Sequence, residues 1–156
     1  MSVKVSIKAD NVLRDVKLRS QQELRTEGDP EVRYALEAGG DKDDALRQFL
    51  QECASEFRTA LRVYLDEETA ASGSDDLTAG AGTTFEYVFD LPSRKASGAA
   101  APIADGLHSC AVERVLGKHY VSVGRKDLAE VHYAQAADAL AGVKTILLTK
   151  KKPTYE

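Results

Sequence analysis

Three histidines (His108, His119, His132) and two cysteines (Cys53, Cys110) are the residues of this chain best suited to metal binding or nucleophilic chemistry. A zinc site on a helix needs ligands that share a face, as at positions i and i+4. No two of the histidines have that spacing, and neither Cys-x-x-Cys nor His-Glu-x-x-His occurs. His108 and Cys110 stand two residues apart, so one helical face cannot hold both. A site between helices, built from Cys53, Cys110 and a histidine, is conceivable, but its ligand set is sparse. Free cysteines are more commonly small buried apolar groups. A Cys–His nucleophile would need an orienting group and an oxyanion hole, and the sequence signals neither. The expectation is no catalytic residue, no metal site and no cofactor.

Three other patterns invite a functional reading. Gly80-Ala81-Gly82-Thr83-Thr84 is superficially a phosphate loop. A P-loop follows a strand and carries lysine before its serine or threonine, whereas these glycines precede a strand and no lysine follows. Asp66, Glu67, Glu68, Asp75 and Asp76 form an acidic run that does not match a calcium loop. Lys150, Lys151 and Lys152 form a short basic tail. Three lysines neutralise too few phosphates to hold nucleic acid alone. Acidic and basic segments of opposite sign suit a protein interface. If they lie on opposite sides of the subunit they form a head-to-tail pair, which closes into a ring when the rotation is right.

The elements that must carry these residues read clearly in places. Val3, Val5 and Ile7 alternate with polar residues over 3–8, and Phe85, Tyr87 and Phe89 do so over 84–90. That is the period of half-buried strands, and the two are expected to pair. Asp10 is placed to cap a helix bearing Val12, Leu13, Val16 and Leu18. Asp29-Pro30 predicts a short helix over 30–37. Residues 42–66 predict a long amphipathic helix with Leu46, Leu50, Cys53, Phe57, Leu61 and Tyr64 inward and Asp41, Asp43 and Asp44 at its start. Acids at its far end would oppose the helix dipole. Pro102 opens the next predicted helix, which runs to about Tyr120, and a last one spans about Arg125 to Thr149. Leu107, Ala111, Leu140, Val143 and Leu147 are expected to meet the stripe of the long helix. The alanines and Gly142 of the last helix would let a neighbour approach closely. Residues 72–83 and 93–100 read as mobile loops, being small, polar and glycine-containing. The fold class is mainly α: a bundle of about four helices with a small two-stranded β element, in one domain spanning 1–156.

Composition bounds the rest. The chain has 156 residues, 43% of them hydrophobic and 29% charged, which suits one globular domain with its own core. No apolar run is long enough for a transmembrane helix, and Met1-Ser2-Val3-Lys4-Val5 lacks a signal-peptide core. A formal net charge of -4 disfavours general nucleic-acid binding. Two cysteines make no secreted disulfide framework.

The C-terminal third reads Leu107-His108-Ser109-Cys110-Ala111-Val112, Lys118-His119-Tyr120, Gly124, then Asp127, Ala129, Tyr133, Ala136, Ala137 and Leu140, and finally Lys150-Lys151-Lys152-Pro153-Thr154. The pattern is a helix ending in His or Trp plus an aromatic, a polar turn, an alanine-rich helix and a basic-proline tail. In this it resembles small structural proteins encoded by phages and prophages of Bacteroidetes. The long helix with Ala54, Phe57 and Tyr64 is similar to the central helix of head–tail connector and head-completion proteins. The resemblance implies a virion assembly role without enzymatic activity. It also implies homo-oligomeric rings at the neck, with portal, tail or neck subunits as partners. The implied location is the virion, and the host cytoplasm during assembly. A non-enzymatic helical adaptor for one protein partner is the alternative.

Overall fold

The alternation of β1, Ser2–Lys8, turns Val3, Val5 and Ile7 inward, and all three are buried. The computed structural model describes residues 2–65, 83–91 and 93–148, with side chains at 93–97 left aside. β1 pairs antiparallel with β2, Thr84–Asp90, placing Val5 opposite Tyr87 and Val3 opposite Phe89. The inner faces of both strands therefore form one apolar surface. Leu65 adds a single bridge to Phe89.

Helix α1, Ala9–Glu23, starts directly from β1. Asp10 is not its cap, contrary to expectation: Lys8 holds that position without a side-chain bond, and Asp10 lies in the first turn. The amide of Ala9 donates instead to Thr83 O at 3.0 Å. α1 outlasts its apolar pattern because Ser20 turns inward, where its Oγ accepts from Ala38 N at 2.9 Å. Leu18, expected inside, is 49% exposed.

Helix α2, Pro30–Leu36, is capped as its sequence dictates, with Asp29 Oδ1 accepting from Glu31 N at 3.0 Å. Lys42 Nζ then donates to the carbonyls of Tyr34, Ala35 and Glu37. A cation there complements the negative end of the helix dipole.

Helix α3, Asp43–Ala60, buries Leu46, Leu50, Cys53, Ala54 and Phe57. It is shorter than predicted and gives way to a 3-10 turn over Arg62–Tyr64. Arg58 is in its last turn, where its charge suits the dipole, and the acids at 66–68 lie outside the described residues.

Helix α4, Ser93–Ser122, corrects the sequence reading most. Residues 93–100, expected to be a mobile loop, are helical, and Pro102 lies inside the helix rather than at its start. A proline ring inside a helix presses on the carbonyl four residues earlier, which here belongs to Gly98. Gly98 takes φ +92°, open only to a residue without Cβ, and the helix continues past the obstacle. Ala99, Ala100 and Ala101 supply strong helix propensity between the two.

Gly124, at φ +82°, turns the chain into α5, Lys126–Leu147. α4 and α5 form an antiparallel hairpin, and its close-contact glycines are on α4, not α5. A Cβ on Gly106 would overlap Val143, and one on Gly117 would come within 2.7 Å of the Tyr133 ring. Gly142 has nothing within 4 Å, so the expected role of that residue is corrected. α3 packs on α4 rather than chiefly on α5, while β1, α1 and α5 also pack on α4. Ile103, Leu107, Cys110, Ala111, Val115 and Leu116 are buried accordingly, making α4 the axis of a mainly helical fold with one small sheet.

Candidate functional site: a buried histidine between two glutamates

Three helices bring charge into the core at one place. α1 supplies Arg19 and Glu23, α4 supplies Glu113 and Tyr120, and α5 supplies His132 and Gln135. His132 Nδ1 lies 2.5 Å from Glu113 Oε2, and its Nε2 lies 2.6 Å from Glu23 Oε1. The His132 and Glu113 side chains are only 4% and 7% exposed. Arg19 pairs with Glu113 Oε1. With its amide nitrogen facing inward, Gln135 donates to Glu113 Oε2 at 2.8 Å and Oε1 at 3.2 Å. The Tyr120 ring stacks on the imidazole, with centroids 5.5 Å apart and planes 19° from parallel. Tyr120 Oη donates to Ser20 Oγ at 3.4 Å.

The charges follow from this geometry. Burial alone would lower the pKa of His132, but hydrogen bonds to Glu113 and Glu23 raise it to about 9. Burial likewise pushes Glu113 up, and the hydrogen bond from His132 and the charge of Arg19 bring it below the usual carboxylate range. The Tyr120 hydroxyl is pushed up to about 12, chiefly by burial. Imidazolium, guanidinium and carboxylates thus compensate one another in a nearly dry setting, where an unpaired charge would be costly.

The other histidines are arranged differently. His119 Nε2 donates to Leu36 O at 2.6 Å, and burial holds its pKa below the ordinary value. His108 Nε2 lies 2.6 Å from Asp15 Oδ2 in a groove of about 280 Å³ between α1 and α4, lined also by Leu18, Gln22, Ser109 and Val112. Cys53 and Cys110 are buried free thiols. Burial pushes Cys110 up to about 11 and Cys53 further still, which disfavours the thiolate needed for attack or ligation. Cys110 Sγ donates to Ala136 O at 3.3 Å. Among the described residues, no group of three or more His, Cys, Asp or Glu side chains is arranged to hold a metal. Among them too, no helix is long and apolar enough to cross a membrane.

No family model, curated protein or solved structure matches this chain. Its chemistry therefore has to be argued from its own residues. The buried cluster was missed by motif reasoning because its members are scattered over three helices. One signal was present: Glu113 and Arg114 interrupt the apolar run of Cys110-Ala111-Val112 and Val115-Leu116, and Glu113 is itself buried.

The expected interface residues Asp66, Glu67, Glu68, Asp75, Asp76, Lys150, Lys151 and Lys152 lie outside the described residues, as does the expected loop 72–83 except for Thr83. Their described borders are informative. Val63, just before the acids, is 84% exposed, and Leu148, just before the lysines, is 60% exposed. Leu65 bridges Phe89, beside the start of α4. Gly106 faces Val143 and Gly117 faces Tyr133, a register that runs α5 antiparallel to the C-terminal part of α4.

Proposed function

We propose that the chain is a non-enzymatic structural subunit of a phage or prophage virion, of the head–tail connector or neck/tail-completion kind, that assembles into a ring. Its partners are further copies of itself and neighbouring portal, tail or neck subunits. The observation that carries this reading is the pair of exposed apolar residues, Val63 and Leu148, which precede a charged segment by three and two residues, one acidic and one basic. Burial of such side chains in an interface supplies affinity, while exposed ion pairs add only about 0–1 kcal/mol each and set register. The resemblance of the C-terminal third supplies the phage assignment. The strongly shifted groups support a non-catalytic role, because they are engaged with one another inside the helix packing.

Segments of opposite charge suit a head-to-tail contact between copies, which closes into a ring when the rotation is right. A second reading is a non-enzymatic adaptor that offers such a surface to one protein partner. Mass measurement of the full chain from micromolar to millimolar concentration at low salt tests the assembly reading. Concentration-dependent association is expected, weakened by Val63→Asp, by Leu148→Asp and by reversing Lys150–Lys152 to glutamate, and partly restored when the acids are reversed as well. Association untouched by all of these variants would contradict it. A monomer throughout that concentration range would leave the adaptor as the better reading.

A further inference from the structure

We propose that Glu23, His132 and Glu113 form a proton-dependent clamp that ties α5 to α1 across α4, closed while the imidazole carries both protons and released when it loses one. The proposal does not depend on the assembly reading. A neutral imidazole has one N–H and one lone pair. Here each ring nitrogen faces a carboxylate oxygen, at 2.5 and 2.6 Å, so a neutral ring would set a lone pair against an acceptor on one side. Arg19 pairs with Glu113 Oε1, and Gln135 with its amide nitrogen inward donates to Oε2, and both donors favour Glu113 as the carboxylate. The doubly protonated ring satisfies every partner at once.

The groups facing the ring come from each element packed on it. α1 contributes Glu23 and, through Glu113, Arg19. α4 contributes Glu113 and the stacked Tyr120. α5 contributes Gln135, and Arg125 in the preceding turn acts on Tyr120. The cluster meets water through its α1 members: Glu23 is 27% exposed and Arg19 42%, against 4% for His132. Loss of the proton therefore unloads the α1 side first, where water can replace the ring as partner of Glu23. α5 keeps the rest of its seam with α4, where Gly106 meets Val143 and Gly117 meets Tyr133. The device thus changes how the hairpin is tied to α1 without dismantling the hairpin.

The test follows the thermal midpoint of the full chain across roughly pH 5 to 10, for the wild type, His132→Gln and Glu23→Gln. A histidine whose pKa is raised on folding contributes fully below its unfolded value, about 6.5, and loses that contribution as pH rises through the folded value. Wild-type stability should therefore decline from about pH 6.5 to about 9 and then level off. His132→Gln should abolish that slope, and Glu23→Gln should move its end to lower pH while leaving the chain folded. The amide resonances of Ala129, Ala136 and Ser20 should move together along the same wild-type curve. Should His132→Gln fail to fold, the wild-type curve and Glu23→Gln still decide. A flat wild-type profile over that interval, or a Glu23→Gln profile superimposable on it, overturns the clamp.

Discussion

The side of the core built from β1, β2 and α3 and the seam where α1, α4 and α5 meet are both buried, yet they are held by different forces. On the sheet side, Val5, Phe57, Leu61, Tyr87 and Phe89 are almost wholly removed from water. Tyr87 meets Phe57 edge-on at 6.3 Å, and its hydroxyl donates to Ala54 O at 3.0 Å. Stabilisation there scales with apolar area and is insensitive to pH. The seam buries Glu113 and His132 beside Arg19 and Glu23. Its stability depends on protonation states and fails as a unit when one charge is left alone. His119, also on α4, sharpens the lesson. It is as buried as His132, but the bond to its carbonyl partner does not offset burial, which lowers its pKa, whereas two carboxylates outweigh burial and charge His132. Burial alone does not decide the state of a buried histidine; its partners do.

Removing His132 should have the largest effect. His132→Leu leaves the buried Glu113 with Arg19 as its remaining counter-charge, and removing one partner of a buried charge costs up to about 3–5 kcal/mol. Urea unfolding near pH 6 measures it, and the loss should shrink toward pH 9, where the wild type has lost the same interaction. Leu61→Ala on the sheet side should cost about 2–5 kcal/mol, since Leu61 is 0% exposed. Its cost should be the same at both pH values, and a pH-dependent loss would erase the distinction between the two regions. Gly117→Ala should cost about 1–3 kcal/mol by forcing Tyr133 away. Gly142→Ala, with open space around it, should instead stabilise by about 0.4–1 kcal/mol. Thermal melts of the pair separate crowding from helix propensity. The smallest effect belongs to Lys118→Ala, which removes partly buried pairs with Glu52 and Glu56 at 3.1 Å and should cost about 1 kcal/mol, less in high salt.

What the sequence made legible was periodic. Val3, Val5 and Ile7 against Phe85, Tyr87 and Phe89 announced both strands, and the stripe from Leu46 to Leu61 announced α3. The Asp29-Pro30 start of α2 and the Gly124 turn were equally readable, because each rests on a local backbone rule. The start of α4 was not readable, because Pro102 ordinarily opens a helix and nothing local reveals that Gly98 accommodates it. The close-contact glycines were misplaced because a glycine's neighbours are set by the partner helix. The charged seam was hidden for the same reason: Arg19, Glu23, Glu113 and His132 meet only once α1, α4 and α5 are docked.

The contrast between the two buried histidines is the most direct handle on this account. Ring nitrogen chemical shifts of His119 and His132, followed by NMR through a pH titration of the intact chain, report each protonation state separately. His132 should remain doubly protonated through neutral pH and titrate near 9, while His119 should stay a single Nε2–H tautomer and titrate below the ordinary histidine value. Two rings titrating together near about 6.5 would mean that the carboxylates do not charge His132, and that the seam is held as the sheet side is.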